Sequence, residues 1–491
     1  MCGIIGVIGP LSSLNPSWAA YEVYSALLTL QHRGQDGAGI LSYDPSLQKF
    51  FHQKDLGLVT EVFNREKVQH LKGNSAIGHT RYATAGSNER EDLQPLVSGF
   101  PFGVGMIHNG NILNYHSLAQ ELQQSFQQQL LTSNDLEILL NLWCHHLMTL
   151  SHGGAFLFEH AVEAVKKIFE TVIGAYSVIG TVANAGLFAF RDPQGFRPLL
   201  LGKKKWPDSD RFQYCFSSET VALQFLGYDL VRNLAPGEFV FIHHDGTVQS
   251  VIVPAPNTKK AHCMFEWVYF SAAESSIENS SVYSVRLKLG HLLGKKAKKV
   301  LAHYSIHPDI VVPVPDTSRP AAIALAEELK IPFREALIKN RYIYRSFILN
   351  SQAERERIVD LKLNPVKSEI EGKHLLLVDD SIVRGTTSKR IIDLLKRNGA
   401  KSVTLASTCP PIQFPCYYGI DFPTEKELIA NGKNEQEIAH LIGAEQVIYL
   451  DIQDLKTAIG LSDLCMACLD KKYPTSVEEG AYFGLKRRGT L

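Results

Sequence analysis

The stretch HLLLVDDSIVRGTTSKR, residues 374–390, decides how the second half of this chain folds. An apolar run, Leu375 to Val378, ends in two acids, Asp379 and Asp380. A short loop then carries Gly385 and the hydroxyls of Thr386 and Thr387 into a helical pattern. That order is a strand, a turn and a helix start, with Gly399 suited to the helix's C-terminal cap. Working outward, HPDIVVPVP (307–315) reads as a strand followed by the helix RPAAIALAEEL (319–329), and KSVTLAST (401–408) as another strand. Apolar, β-branched strands each followed by a helix predict an α/β parallel sheet of the doubly wound type.

Toward the N-terminus the pattern changes. Short β-type runs punctuated by Gly dominate: CGIIGVIG (2–9), AGILSYD (38–44), SAIGHTRYAT (75–84), FGVGMIHNGNI (102–112), YSVIGTV (176–182), GLFAFRD (186–192) and FRPLLLG (196–202). Helical periodicity interrupts them at 18–31, 134–150 and 158–171, and the Gln-rich ELQQSFQQQLL (121–131) reads as a polar helix face. Strand clusters with interposed helices predict an α+β sandwich whose sheets are covered on their outer faces. A hairpin over 234–253, turned at Asp245-Gly246, closes this unit, and PAPNTKKA (254–261) reads as a linker. Domains are therefore expected at 2–255 and 262–455, with a C-terminal tail over 456–491.

Composition bounds the function. With 491 residues, two or three domains are expected. Lys plus Arg and Asp plus Glu are 50 each, so no bulk field favours nucleic acid or a membrane surface. No window approaches the ~18 apolar residues of a spanning helix. Nothing basic precedes Arg33 and Pro10 interrupts the first apolar run, which is not the pattern of a secretory signal. A cytoplasmic chain is expected, whose eight cysteines serve reactivity or metal rather than a disulfide scaffold.

Cys2 becomes the first residue once Met1 is trimmed. A free N-terminal cysteine pairs a thiol with an α-amine whose unperturbed pKa is about 7.7–8.0. Nucleophile and base then belong to one residue, the logic of N-terminal nucleophile hydrolases. Four further motifs follow in order: LQHRGQDGAGI (30–40), GHTRYATAGS (78–87), IHNGNILN (107–114) and SNDLEILL (133–140). Read singly, Arg81 suits a surface ion pair, Asn109-Gly110 a turn and Asp135 a helix cap. Together with the CGI start they resemble the class II glutamine amidotransferase domain, an αββα N-terminal nucleophile fold. The resemblance implies that Cys2 attacks the glutamine amide, forms a thioester and releases ammonia. It gives the oxyanion hole to the Asn109 side chain and the Gly110 backbone N–H. Arg81 would grip the glutamine carboxylate and Asp135 its α-amine. Arg33 would support the N-terminal residue, and Tyr82, beside the glutamine pocket, would help gate the passage of ammonia.

Hydroxyls and unpaired N–H groups at a helix start favour phosphate, and paired carboxylates beside them suit diol hydroxyls and Mg²⁺-bound water. Residues 374–390 resemble the phosphoribosylpyrophosphate-binding signature of type I phosphoribosyltransferases, in the form found in the glutamine phosphoribosylpyrophosphate amidotransferase family. By that resemblance Asp379 and Asp380 hold the ribose hydroxyls and Mg²⁺. Ser381, Val383, Arg384, Gly385, Thr386 and Thr387 would cradle the 5′-phosphate. PVPDTSRPAA (313–322) resembles the pyrophosphate loop, with Thr317 near the metal, and LIKNRYIYRSF (337–347) a closing loop with Lys339, Arg341 and Arg345 as its cations. The chain departs from the family pattern at SAAES (271–275), which keeps only the acid Glu274, at Tyr344 in place of Gly, and at Asp360 in place of Arg. With the core signature intact, activity is expected, with altered affinity or regulation.

Four of the other seven cysteines are Cys263 in AHCMFEW, Cys416 in PIQFPCYYGID, and Cys465 and Cys468 in DLCMACLDKKYPT. Four thiolates suit Zn²⁺ or a [4Fe–4S] cluster, and spacing does not choose between them. The resemblance does: one branch of the family carries a [4Fe–4S] cluster on cysteines in these contexts, which would clamp the tail to the linker. Cys144, Cys215 and Cys409 read as core residues. The resemblance as a whole implies an enzyme that forms 5-phosphoribosylamine, glutamate and pyrophosphate from phosphoribosylpyrophosphate, glutamine and water, opening purine nucleotide synthesis, as a homo-oligomer (dimer or tetramer) inhibited by purine nucleotides. Two rivals are a sugar-phosphate aminator, disfavoured by VDDSIVRGTT, and a phosphoribosylpyrophosphate-binding regulatory protein with weakened transferase activity.

Overall fold

The computed structural model describes residues 2–12, 15–82, 89–207, 209–256, 259–340, 363–422 and 424–487. In the first half, two antiparallel sheets lie face to face. The first runs in the order Asp229–Asn233, Leu200–Lys205, Phe212–Ser217, Gly3–Ile8, Ser75–Arg81, Gly37–Asp44, Lys49–Leu56. The second runs Val248–Ile252, Glu238–His243, Gly186–Arg191, Gly174–Val182, Val104–Ile112, Leu96–Ser98. Ile4, Ile8, Ile77, Ile107, Ile179 and Leu187 fill the layer between them. Helices Trp18–Thr29 and Thr220–Leu226 cover the outer face of the first sheet, and Leu136–Ser151 and Phe158–Thr171 that of the second. The expected αββα sandwich is present.

Every residue of Gly3–Ile8 is buried, and the strand lies between Ser75–Arg81 and Phe212–Ser217. Burying each of its isoleucines contributes about 1.5–3 kcal/mol. The chain's opening is thus fixed at the centre of the sheet, and Cys2 is delivered at its end. The hairpin expected over 234–253 is formed by Glu238–His243 and Val248–Ile252, with Gly246 in the left-handed region at the turn.

One expectation is corrected. The Gln-rich stretch is not one polar helix face: helix Tyr115–Gln124 stops before it is half read. Phe126 stacks on the His145 ring, centroids 3.7 Å apart, and Gln127 takes a left-handed turn with φ 54°. Tertiary stacking of one aromatic outweighs the helix preference of the surrounding glutamines.

The second half holds a four-stranded parallel sheet in the order Ile310–Pro313, His374–Asp379, Ser402–Ser407, Val447–Tyr449. Alternate residues of its strands enter different cores. Leu376 and Val378 face helices Val282–His303 and Arg319–Leu329, while Leu375 and Leu377 face Thr386–Arg397 and Glu435–Ile442. Helices on both faces make it doubly wound, as expected. Two short strands, His262–Cys263 and Leu464–Cys465, pair in parallel and tie the interdomain linker to the tail. Among the described residues no helix is long and apolar enough to cross a membrane.

Candidate active sites and a four-thiol pocket

The half-buried Cys2 lies where strands Ser75–Arg81 and Val104–Ile112 approach the chain's opening. Its nitrogen donates to Asn109 Oδ1 at 3.1 Å, and its Sγ is 4.0 Å from the carbonyl oxygen of Tyr82. With Oδ1 so engaged, Asn109 Nδ2 is left buried and without a hydrogen-bond partner among the described residues. An unpaired buried donor beside a thiol is costly unless something is to bind there. Arg33 Nε donates to the Cys2 carbonyl at 3.1 Å. The structure therefore brings Cys2, Asn109, Gly110 and Arg33 together. Asp135 stands one strand away, accepting from Ile112 N at 2.9 Å and lying 3.4 Å from His108 Nε2. It makes no side-chain cap for helix Leu136–Ser151, against its bland reading. Arg81 Nη1 donates to the Asp92 carbonyl. The rest of the motif, residues 83–87, lies outside the described residues.

The sequence reading missed the groups that hold Arg33. Its guanidinium is fully buried and clamped by Glu266 through both carboxylate oxygens at 3.0–3.1 Å and by Glu219 at 2.5 Å. Burial alone would raise the Glu219 carboxyl, but His32 and Arg33 outweigh it and hold the group well below the usual carboxylate range. Glu266 is contributed by the second unit, on the short π-helix Glu266–Phe270. The same segment gives the carbonyls of Trp267, Tyr269 and Ser271 to Arg286. No local pattern marks Glu219 or Glu266, although Glu266 lies inside the quoted AHCMFEW.

At the other centre, Asp379 and Asp380 close strand His374–Asp379, both buried. Burial raises both carboxyls; Asp379 is lifted further by its neighbour, while Ser381 Oγ, 2.7 Å from Asp380 Oδ1, and Arg286 oppose the rise at Asp380. Helix Thr386–Arg397 begins after Gly385, with φ 75° and no side-chain cap, so its first N–H groups are not taken up by a capping side chain. This is the arrangement that accepts an anion. Val314 N donates to the Val378 carbonyl at 2.8 Å, which sets the 313–322 loop, with Thr317, beside the acids. Lys339 reaches this loop and pairs with Asp316 at 2.8 Å. Arg341, Tyr344, Arg345 and Asp360 lie outside the described residues.

Cys263, Cys416, Cys465 and Cys468 line one cavity between the two units, with Phe196, Met264, Tyr418 and Tyr473. Three chain segments converge there, because Met264 N donates to the Cys465 carbonyl and the amides of Gln413 and Phe414 to that of Cys468. Arg197 is buried beside Cys263 and Cys416, and its Nε and Nη1 have no hydrogen-bond partner among the described residues. Its Nη1 lies 3.6 Å from Glu266 Oε1, so the cation bridges a carboxylate and the thiols. A single tetrahedral Zn²⁺, with Zn–S of about 2.3 Å, would need the four sulfurs within about 4 Å of one another. No group of three or more His, Cys, Asp or Glu side chains among the described residues is arranged to hold one ion. Four thiols around one cavity are a donor set that Zn²⁺ or an iron–sulfur cluster accepts. Cys144, Cys215 and Cys409 are buried core residues, as expected.

An αββα unit with a cysteine at the start of its central strand, joined to a parallel-sheet unit with an acid pair and an open helix start, defines a glutamine amidotransferase fused to a phosphoribosyltransferase. Known proteins agree. A glutamine amidotransferase domain model matches residues 79–225 and a phosphoribosyl transferase domain model residues 287–414. Amidophosphoribosyltransferase of Haemophilus influenzae is 41% identical over 463 residues, covering 94% of this chain and 90% of that protein. The protein of that name from Escherichia coli is 42% identical over 462 residues, covering 94% and 88%. The solved structure of glutamine phosphoribosylpyrophosphate amidotransferase from B. subtilis, complexed with ADP and GMP, superposes with a TM-score of 0.83 at 36% identity, covering 97% of this chain and 98% of that one. The chain belongs to the amidophosphoribosyltransferase family.

Proposed function

We infer that this protein transfers ammonia, released from glutamine, to phosphoribosylpyrophosphate, giving 5-phosphoribosylamine, glutamate and pyrophosphate at the entry to purine nucleotide synthesis. The observation that carries the first half is the Cys2–Asn109 pair: a thiol whose neighbouring nitrogen orients an asparagine, leaving a buried amide donor unused. With Met1 removed, the Cys2 amine takes the thiol proton and the sulfur adds to the glutamine amide. Asn109 Nδ2 and the Gly110 N–H receive the developing oxyanion. Arg33 fixes the Cys2 carbonyl so that sulfur and amine keep their relative placement. Arg81 and Asp135, with Tyr82, bind the amino-acid end of glutamine, and Tyr82 helps to gate the ammonia, which passes between the units without meeting bulk water.

At the second centre Asp379 and Asp380 take the ribose hydroxyls, the 381–387 loop takes the 5′-phosphate, and Lys339 and Arg341 take the pyrophosphate. Mg²⁺ requires few protein ligands when substrate phosphates complete its shell, so the acid pair with Thr317 is a sufficient donor set. When bound, the ion neutralises the departing pyrophosphate. The [4Fe–4S] cluster is proposed on Cys263, Cys416, Cys465 and Cys468 with a structural role, supported by the shared cavity and by Arg197. A cytoplasmic homo-oligomer completes the reading.

The experiment is a paired assay. Cys2→Ala and Cys2→Ser abolish glutamine use and leave ammonia-dependent phosphoribosylamine synthesis within about twofold, because the two nucleophiles act at separate centres. Loss of both reactions would contradict two sites.

A further inference from the structure

The loop Cys416–Gly419 lies behind the strand that carries Asn109 and Gly110. Asn111, two residues beyond the buried amide, donates its Nδ2 to the Tyr417 carbonyl at 2.8 Å, across 306 positions of sequence. Gly419 has φ 96°, and a Cβ there would lie 3.1 Å from the Gly110 carbonyl oxygen, so loop and strand are in close backbone approach. The Tyr418 carbonyl accepts from Arg197 Nη2, and its ring stacks on Phe196, centroids 4.2 Å apart. Arg197 in turn lies 3.6 Å from Glu266, which clamps Arg33, which holds the Cys2 carbonyl. One four-residue loop from the second unit is thus in contact with the oxyanion strand directly and with the nucleophile through three charged groups.

We propose that Cys416–Gly419 positions the glutaminase centre, with Asn111 and Gly419 as positioning residues that set where the Asn109–Gly110 donors stand relative to Cys2 Sγ. The inference rests on the reading of Cys2, Asn109 and Gly110 given above. The physical reason is the steepness of oxyanion stabilisation: donors work when preorganised at hydrogen-bond distance from the charged oxygen, and a displacement of a fraction of an ångström forfeits much of that gain. The side-chain bond of Asn111 runs to the Tyr417 carbonyl and not to Cys2. Its amide is spent on the loop, so its removal changes where the strand sits rather than what it presents.

The test uses the full-length protein and two variants. Asn111→Leu keeps the branched shape of the side chain and removes the donor; Gly419→Ala leaves the Asn111 donor in place and pushes the loop against Gly110. Each is expected to lower kcat for glutamine hydrolysis by about tenfold or more, with KM for glutamine within about threefold. Ammonia-dependent synthesis should stay within about twofold. A second readout is affinity for glutamate γ-semialdehyde, to whose carbonyl the thiol adds, forming a C–S bond while the thiol proton goes to the new alkoxide oxygen. That affinity should weaken by about tenfold while affinity for glutamate is unchanged, since only the aldehyde adduct uses the oxyanion donors. Unchanged hydrolysis in both variants, or equal losses in the glutamine and ammonia reactions, would overturn the proposal. Cys2→Ala that still hydrolysed glutamine would instead remove the reading beneath it.

Discussion

At the scale of single residues, the support of Cys2 is electrostatic and entirely buried. Arg33, Glu219 and Glu266 are each at most 1% exposed, and one guanidinium serves two carboxylates. Removing one partner of a buried pair costs about 3–5 kcal/mol, because the other charge stays buried. Glu219→Gln should therefore destabilise the protein by about 3 kcal/mol at neutral pH, the low end, since Glu266 still holds Arg33. Its pH dependence has a definite sign. The folded-state carboxyl is depressed, so its contribution is complete above its ordinary value of about 4.3 and is lost as pH falls toward the lower folded value. Thermal midpoints of wild type and Glu219→Gln should still differ at pH 5 and converge only below about pH 4. Convergence already at pH 6 would show that Glu219 is not held as a carboxylate. Cys2, Asn109 and Asp380 were legible in the sequence because their chemistry is local and motif-borne. Glu219, Glu266 and Arg197 were not, because their role is defined by partners far along the chain. Asn111 stood inside a quoted motif, and only its partner Tyr417 gives it meaning.

Among elements, the strand-loop-helix of 374–397 binds the two levels together. Its strand and helix follow from apolar runs and periodicity, and both appear where the sequence placed them. The loop between them obeys steric demands that periodicity does not express. A Cβ on Gly385 would meet Ile429 Cδ1 at 2.3 Å, and φ 75° is unfavourable for any other residue. In Gly385→Ala, Ile429 can swing aside, but the strain of a side chain at φ 75° acts on the turn that opens the N–H groups of helix Thr386–Arg397. The expected result is a KM for phosphoribosylpyrophosphate raised about tenfold or more, with kcat falling less and phosphoribosylpyrophosphate-independent hydrolysis of glutamine unchanged. Steady-state kinetics in both substrates checks it, and an unaltered KM would show that the phosphate is held elsewhere. The element that sequence misjudged, the Gln-rich stretch after Tyr115–Gln124, failed for a related reason. Phe126 finds His145 across a helix pair, a contact with no signature in local composition.

For the whole molecule, the four-thiol cavity is where the chain's distant parts meet. Cys263 follows the linker, Cys416 lies between the third and fourth strands of the parallel sheet, and Cys465 and Cys468 open the tail. The tail then runs on to the first unit, where Glu479 accepts from the amides of His116 and Ser117 at 2.9–3.0 Å, at the start of helix Tyr115–Gln124. A centre bound by all four sulfurs in the folded state and not in the unfolded chain stabilises the folded state by its own binding free energy. Anaerobically purified protein should therefore be brown and carry about four irons per chain, by the stoichiometry of a [4Fe–4S] cluster. Cys465→Ser or Cys468→Ser should lose iron, lower the thermal midpoint and weaken both half-reactions. Cys144→Ser, at a buried core cysteine outside the cavity, should keep its iron whatever it does to stability. Iron analysis and visible absorption decide the matter. Colourless protein with one zinc per chain would overturn the cluster and assign the four thiolates to a single tetrahedral ion.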